Sequence, residues 1–458
     1  MTTLKRFYLI SLMVSIGCAT LPNASETIEK APAGQAPGRI VSAKGLLSPT
    51  TSKAIMDSLA RSVDPTDILQ RFTAVIESVS GTPMTKGNKV TLLIDGPATY
   101  SAMFTAIQNA RVSVNLESYI FDDDEAGRRF SDLLLKKRAE GVQVNVIYDS
   151  LGSLTTTAAF FDRMRDGGVA VVEFNQTNPL KAHGKWGLLH RDHRKILVID
   201  GRVAIVGGIN ISQVYSSSPS GSKRSTDAPA AWRDTDVQIE GPAVAEFQKL
   251  FLDTWQKQEG PSLPEPKYFP ALKEEGDVLV RALGSTPGET NRITFVAYIA
   301  AVSFAAHSVH LTNAYFVPDD QILNAFMDAA RRGVDVKIIL PSFTDASVAL
   351  DAQRYNYSRL LKAGVKVYER RDALMHAKTA VIDGVWSTVG STNMDYLSFL
   401  SNDEVNAVIL GHEFAVEMEE VFAKDLAESN PIQWKQWKER PIADRVREWV
   451  AHLFLRWL

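Results

Sequence analysis

The chain has 458 residues and a net charge of −3, from 50 Lys and Arg against 53 Asp and Glu, and 45% of its residues are hydrophobic. This composition excludes a disordered chain and a protein that binds nucleic acid through its overall charge, although it leaves room for a local basic groove. The single cysteine, Cys18, excludes an intramolecular disulfide and a zinc site built from cysteines.

Residues 1–17 are typical of a secretory signal. A short positive stretch precedes an apolar run from Phe7 to Ile16, which is too short to span a bilayer as an ordinary helix. Because Cys18 follows this run, the segment resembles a lipoprotein signal with Cys18 as the site of lipidation. The alternatives are an uncleaved anchor, or a plain signal peptide beside an incidental cysteine. We therefore expect a membrane-associated, lipid-anchored protein on the extracytoplasmic side, in a bacterial periplasm, and Ala19 favours the outer membrane.

Residues 18–87 are predicted to contain a tether and a short helical segment. Residues 19–50 are rich in Ala, Pro, Ser and Gly, which is typical of a flexible tether. Residues 53–80 show helical spacing of apolar side chains, and Pro65 divides them into two helices.

Two similar halves follow, at residues 88–258 and 277–430, and a linker at 259–276 separates them. In each half, short strands rich in β-branched residues alternate with amphipathic helices. The predicted strands are Lys89–Ile94, Ser113–Ile120, Gly141–Ile147, Val278–Val280, Val309–Asn313 and Gly333–Leu340, and the predicted helices cover about 98–110, 291–306 and 320–331. This internal repeat predicts an α/β sandwich with a buried sheet that is largely parallel or mixed. A polar loop is expected at Ser216–Pro229.

The strongest signal is a motif that occurs twice, 183 residues apart, with the spacing H-x-K-x4-D-x6-G-[GS]-x-N. Its first copy contains His193, Lys195, Asp200 and Asn210, and its second contains His376, Lys378, Asp383 and Asn393. On a strand, residues two apart share a face, so each His and Lys point the same way. An imidazole beside an ammonium group and an amide can hold a phosphoryl group.

Two copies of the motif place two histidines at one phosphate. One histidine can attack phosphorus while the other protonates the leaving oxygen. Asp200 and Asp383 each precede a glycine and are expected to hold a turn. A lone His-x-Lys is more often structural, but two full copies in equivalent positions favour catalysis.

The duplicated motif resembles the signature of the phospholipase D superfamily. The resemblance covers about residues 88–430 and is closest to the bacterial cardiolipin synthases, through the stretches Leu116–Phe121, Trp232–Thr235, Asn313–Pro318, Asn393–Asp395 and Trp434–Pro441. It implies two tandem phospholipase D-type α/β sandwich repeats that form one pseudo-twofold catalytic unit.

The resemblance also implies roles for particular residues. The catalytic set is His193, Lys195, Asp200, His376, Lys378 and Asp383. His193 is expected to be the nucleophile and His376 the general acid and base, while the residues alone allow the reverse. Asn210 and Asn393, with the lysines, are expected to hold the phosphoryl oxygens. Asp234 and Glu404 match the positions that orient the histidines, and their alternative is a surface carboxylate at a strand end. No metal or other cofactor is required.

The implied function is a phosphatidyltransferase that moves a phosphatidyl group between phospholipids through a phosphohistidine. Phosphatidylglycerol is the expected substrate, and cardiolipin and glycerol are the expected products. If water is the acceptor, the protein is instead a phospholipase D or another phosphodiester hydrolase; a nuclease is disfavoured by the near-neutral charge, so nucleic acid is not an expected partner. A third hypothesis, a catalytically silent membrane-binding protein, conflicts with two complete motifs. The oligomeric state stays open.

Two features near the motif have two interpretations each. Glu117, on an otherwise apolar strand, either faces the same cleft or makes a structural hydrogen bond. The basic stretch that includes His183, Trp186 and His190 either contacts lipid headgroups or is a solvated loop.

Residues 431–458 predict a basic amphipathic helix. Its apolar residues fall on one helical face, namely Ile442, Val446, Trp449, Val450, Leu453, Phe454 and Trp457. Such a helix lies in a membrane interface, or packs its apolar face on the catalytic body.

Overall fold

The computed structural model describes residues 20–31, 38–177, 187, 189–219, 231–263, 268–289 and 292–454. The signal at residues 1–17, Cys18, His183 and Trp186 lie outside these ranges, as does most of the polar loop expected at Ser216–Pro229. The interpretations of these residues therefore stay predictions.

The N-terminal segment folds against the second half of the chain. Its elements are α1 (Ala24–Lys30), β1 (Ile40–Ser42), β2 (Gly45–Leu46), α2 (Pro49–Ala60) and α3 (Ile68–Val79). The Ala24 amide donates to Gln321 Oε1 at 2.9 Å, and Ile40 is buried in the same core as Phe72. The expectation of a flexible tether over residues 19–50 is therefore wrong for the described part. Its few apolar side chains, among them Leu21 and Ile28, pack on a neighbouring surface that the local composition does not indicate.

Residues 84–257 form repeat 1. Its elements are β3 (Met84–Ile94), α4 (Asp95–Asn109), β4 (Ser113–Ser118), α5 (Glu125–Ala139), β5 (Gln143–Asp149), α6 (Ala158–Asp166), β6 (Ala170–Phe174), β7 (Arg191–Asp192), β8 (Ile196–Ile199), β9 (Val203–Gly207), a 3₁₀ turn at Gln213–Tyr215, β10 (Trp232–Arg233), β11 (Thr235–Glu240) and α7 (Val244–Lys257). The strands predicted in this half all form.

Residues 278–431 form repeat 2. Its elements are β12 (Val278–Ser285), α8 (Ile293–Phe304), β13 (Ser308–Thr312), β14 (Phe316–Val317), α9 (Asp320–Arg331), β15 (Asp335–Pro341), α10 (Ser347–Tyr355), α11 (Tyr357–Ala363), β16 (Lys366–Arg370), β17 (Leu374–Met375), β18 (Thr379–Ile382), β19 (Trp386–Gly390), β20 (Met394–Asp395), α12 (Tyr396–Leu400), β21 (Asn402–Leu410), α13 (His412–Ala427) and β22 (Ser429–Pro431).

The two repeats have the same sheet order. Neighbouring strands run β3-β11-β9-β8-β4-β5-β6 in repeat 1 and β12-β21-β19-β18-β13-β15-β16 in repeat 2. In each sheet the last three strands are parallel and the other pairs are antiparallel, so the sheet is mixed. The predicted α/β fold with two repeats is thus confirmed.

One strand and one core join the repeats. β3 pairs with β11 of its own repeat and, through its other end, with β12 of repeat 2. Apolar side chains from both sheets form a shared core, in which Val198 and Val206 of repeat 1 lie with Val381 and Val389 of repeat 2. Residues of α7 and α13 join the same shared core, so each sheet has helices on both faces. β8 and β18 are therefore buried throughout.

Two helices follow repeat 2, α14 (Trp434–Trp437) and α15 (Ile442–His452). The second packs along α10. Among the described residues, no helix combines the length and the apolar character needed to cross a bilayer.

Candidate active site

Two short pairs of parallel strands connect the repeats, each with one strand from either repeat. β7, directly before His193, pairs with the start of β21, and β10 pairs with β17, directly before His376. The ladders continue into the histidines, because the amide of His193 donates to Asp403 O at 2.9 Å and that of His376 donates to Arg233 O at 2.8 Å. Each histidine is therefore placed by backbone of the opposite repeat.

His193 is oriented by Glu404. Its Nδ1 lies 3.0 Å from both carboxylate oxygens of Glu404, which is fully buried and belongs to repeat 2. The hydroxyl of Ser391 also donates to this carboxylate. With Nδ1–H donating to Glu404, the free lone pair of the imidazole lies on Nε2.

His376 is oriented in the same way by Asp234. Its Nδ1 lies 2.6 Å from Asp234 Oδ2, and Asp234 is fully buried in repeat 1. The two carboxylates matched by the resemblance therefore both contact a histidine, and each contacts the histidine of the other repeat. Neither is a surface carboxylate, which was their alternative.

The G-[GS] part of the motif makes room for these carboxylates. A Cβ on Gly208 would lie 2.2 Å from Asp234 Oδ1, so only glycine fits there. At the equivalent position of repeat 2, Ser391 fits because its hydroxyl donates to Glu404.

The two motif lysines lie behind the histidines. Both are buried, and each Nζ donates to the carbonyl of the histidine two residues earlier, His193 or His376. Lys378 Nζ also lies 3.1 Å from His376 Nε2. Neither lysine lines the cavity described below, so their role in holding phosphoryl oxygens stays a prediction.

One cavity of about 410 Å³ brings the two halves of the site together. His193, His376, Asn210 and Asn393 all line it, as the motif predicts. The amide of Asn210 donates to Tyr215 Oη at 3.1 Å, while Asn393 Oδ1 accepts no hydrogen bond from the described residues.

Four aromatic residues and one cation complete the cavity surroundings, and the motif does not predict them. Trp232 lies beside His376 with ring centroids 4.9 Å apart, and Tyr215 Oη lies 3.3 Å from His376 Nδ1. Tyr119 contacts the His193 ring edge-on at 5.1 Å. Tyr315 and Arg191 line the wall. A signal existed for Trp232, Tyr119 and Tyr315, since all three lie within stretches quoted for the resemblance.

Burial dominates the electrostatics of the site. Burial, then the charges of the two motif lysines, lowers the pKa of His193 well below its usual value, and burial followed by Lys378 lowers the pKa of His376 to about 4. Burial also lowers the pKa of Lys195 to about 7 and of Lys378 to about 8, and raises the pKa of Glu404 to about 7. Both imidazoles are thus neutral near pH 7, and a nucleophilic imidazole must be neutral. A bound phosphodiester anion would raise the pKa of the second imidazole and favour its protonation, as a general acid requires.

Asp200 and Asp383 lie away from the cavity. Each adopts a left-handed backbone conformation, with φ of 53° and 51°, in the turn that follows β8 or β18. The Asp383 carboxylate accepts the amides of Ala306, His307 and Ser308 at 2.8 to 2.9 Å. Asp200 accepts the equivalent amides in repeat 1. This geometry supports the turn-holding role that their position before glycine indicates. No contact with the described residues supports their expected place in the catalytic set.

The remaining candidates lie beside the site. Glu117 is buried but does not line the cavity, and Thr254 Oγ1 donates to its Oε1 at 2.9 Å, which matches the structural alternative. His190 Nε2 lies 3.1 Å from Asp403 Oδ2. His190 therefore contacts Asp403, the residue directly before Glu404 in the sequence.

Both repeats are similar to known proteins. The profile of the family described as "Cardiolipin synthase, PLD-like domain" matches residues 103–251 and 298–426, one segment in each repeat. The chain is 33% identical to a cardiolipin synthase of Geobacillus thermodenitrificans over 374 residues, which are 81% of this chain and 72% of that protein. It is 35% identical to cardiolipin synthase A of Pseudomonas fluorescens over 373 residues, 81% and 75% of the two chains.

Solved structures show the same fold. The phosphatidylserine synthase of Haemophilus influenzae superposes with a TM-score of 0.61 at 13% identity, over 83% of this chain and 98% of that one. With two matched segments, a paired motif and relatives that align over most of their length, the chain belongs to the cardiolipin synthase family of phospholipase D-like enzymes.

Proposed function

We propose that this enzyme transfers a phosphatidyl group from one phosphatidylglycerol to the hydroxyl of another, releasing glycerol and forming cardiolipin. The observation that carries the proposal is a single cavity with a histidine from each repeat on its wall, each held by a carboxylate of the other repeat. The family relationship supports a phospholipid substrate and a transferase reaction.

The first step forms the covalent intermediate. Nε2 of His193 attacks phosphorus, the bond from phosphorus to the glycerol oxygen breaks, and His376 gives its proton to that oxygen. His193 is suited to attack because its pKa is lowered by burial and its Nδ1 is occupied by Glu404. The lining asparagines supply donors for the charge on phosphorus, and the two buried lysines add positive charge behind the histidines.

The second step reverses the first with a new alcohol. His376 takes the proton of the acceptor hydroxyl, the hydroxyl oxygen attacks phosphorus, and the bond from phosphorus to His193 breaks. Charge and protons balance over the two steps, since His376 returns to its starting state. Water in place of the lipid acceptor would give phosphatidic acid, so the product distinguishes the two functions.

The test is purified protein with phosphatidylglycerol vesicles. We expect cardiolipin and glycerol in equal amounts, whereas phosphatidic acid as the main product would assign a hydrolase. His193→Ala and His376→Ala should each lower kcat by roughly 10⁶-fold, the order found when a histidine of a catalytic unit is removed. His412→Ala is the matched control, because His412 is exposed and lies away from the cavity. Among the described residues, its ring hydrogen-bonds to the Gly384 carbonyl alone. Full activity in either site variant would exclude the mechanism.

A further inference from the structure

Helix α15 presents an apolar stripe to solvent. Ile442, Val446, Trp449, Val450 and Leu453 recur at the spacing of one helical face, and they are 76%, 53%, 51%, 42% and 59% exposed. The alternative in which this face packs on the catalytic body is therefore wrong. A solvent-facing stripe of this kind marks a binding surface.

The opposite face of α15 fixes the helix to the body. Glu448 is buried and receives a bidentate contact at 2.7 to 3.2 Å from Arg440, which lies in the turn between α14 and α15. Arg447 donates to the Asp351 carboxylate at 2.9 Å, and His452 stacks on Tyr355 with ring centroids 4.0 Å apart. The helix is thus held with its polar side inward, so the outward apolar stripe is a fixed feature of the surface.

This helix lies directly behind one wall of the cavity. Ala451 of α15 packs with Ala352 and Val317, and Val317 lines the cavity. A surface bound through α15 would therefore have a defined position relative to the two histidines.

Apolar side chains also surround the cavity itself. Leu151 and Leu189 line it from repeat 1 and are 41% and 37% exposed. On the other side, Val348 is 47% exposed, next to the lining residue Ala349. The apolar surface is therefore shared between the helix and both repeats at the cavity.

Basic residues outnumber acidic ones on the stripe's helix and the segment before it. Lys435, Lys438 and Arg445 are exposed against one exposed carboxylate, Glu439, because Asp444 pairs with Arg447 at 3.3 Å. An apolar helical stripe with a tryptophan and an excess of basic residues is complementary to an anionic lipid headgroup layer above hydrocarbon.

We propose that the α15 stripe docks the enzyme on the surface of an anionic phospholipid bilayer and holds the cavity at the level of the lipid headgroups. The inference rests on the proposed function, since it supplies the route by which a lipid substrate reaches the histidines. The stripe lies parallel to the bilayer plane, and Trp449 and Leu453 enter the boundary between headgroups and acyl chains.

The test compares full-length proteins that all carry Cys18→Ser, so that lipid on this cysteine cannot hold them to vesicles. Val446→Glu with Trp449→Glu should weaken co-sedimentation with phosphatidylglycerol vesicles by about tenfold or more, because one buried apolar side chain changes a partition constant by that order. Both side chains are exposed, so the fold is retained, as thermal unfolding will check. Val416→Glu, at an exposed position (43%) on α13, should bind as the parent does.

Activity on two forms of the substrate separates docking from chemistry. The double variant should form less cardiolipin on vesicles but turn over monomeric dihexanoyl-phosphatidylglycerol at the parent rate. Unchanged vesicle binding would overturn the proposal. An equal loss of activity on the monomeric lipid would also overturn it. So would a dimer that forms without lipid and that the substitutions dissociate. Vesicle binding needs no turnover, so it is measurable even if the proposed reaction fails.

Discussion

Glu404 and Asp234 accept hydrogen bonds from histidines that lie 211 and 142 positions away in the sequence. A carboxylate at Nδ1 fixes the imidazole tautomer and stabilises its charged form. In the proposed mechanism the two imidazoles differ in role, since His193 carries the phosphatidyl group and His376 carries the proton. Removal of Glu404 should therefore affect attack on phosphorus, whereas removal of Asp234 should affect proton transfer.

We expect Glu404→Gln to lower kcat by up to about 10⁴-fold with little change in KM, because an amide favours the wrong tautomer. A donor lipid with a nitrophenolate leaving group needs no proton from His376. With this donor, Asp234→Asn should still form the phosphatidyl-enzyme, whereas Glu404→Gln should not. Rapid-quench labelling with radioactive lipid measures the intermediate, and the opposite pattern would assign the nucleophile to His376.

The chain offers a matched control for this experiment. Glu419 contacts His310 Nδ1 at 2.7 Å, so it forms the same kind of pair, but neither residue lines the cavity. Glu419→Gln should leave kcat unchanged. A loss as large as that of Glu404→Gln would show that these substitutions act through the fold rather than at the site.

At the scale of elements, the turn after β18 is held by one side chain. Asp383 accepts three amides at the start of β13 and keeps a φ of 51°, which disfavours residues other than Gly, Asn and Asp. The carboxylate therefore ties the motif strand to its neighbour in the sheet.

We expect Asp383→Ala to lower the free energy of unfolding by about 2 to 4 kcal/mol, through unpaired amides and left-handed strain. Asp383→Asn should cost less, since it keeps an acceptor oxygen and tolerates this φ. Denaturant unfolding measures the loss, and kcat of the folded protein should stay close to that of the parent. A large drop in kcat without loss of stability would restore Asp383 to the catalytic set.

Periodicity and turn residues predict most of the elements. The alternation over Lys89–Ile94 predicts a strand that the structure extends to Met84–Ile94, and the helix predicted near 320–331 is Asp320–Arg331. These signals are local, because burial of one face repeats along the sequence. The order of the strands is not local, so nothing in one strand indicates its neighbours.

The same reason limits what can be predicted of the site. The spacing of each motif copy places His193 and Asn210 together, because they belong to adjoining segments of one repeat. It cannot show that Glu404 serves the histidine of the other repeat, since the ladder between β7 and β21 depends on how the repeats pack. Tyr215 enters the site from a turn whose sequence carries no catalytic signal.

For the whole molecule, one chain completes one site. His193 and Asp234 come from repeat 1, His376 and Glu404 from repeat 2, and the repeats share a core and the strand β3. Two chains that each lack one histidine therefore have no way to share a site without exchanging entire repeats.

We expect a mixture of purified His193→Ala and His376→Ala proteins to be as inactive as either alone. The lipid assay measures this, with wild-type protein diluted into each variant as the control for inhibition by the inactive chain. Recovery of activity on mixing would mean that repeats are exchanged between chains.

The crossed ladders also determine when the site comes into being during synthesis. His193 is synthesised long before Glu404, which follows it by 211 positions. In the same way, β3 is synthesised before its partner strand β12. An incomplete chain therefore holds a histidine without its carboxylate and a strand with one edge unpaired. In the proposed mechanism we therefore expect no phosphohistidine on an incomplete chain, because the repeat made last brings the carboxylate that orients His193.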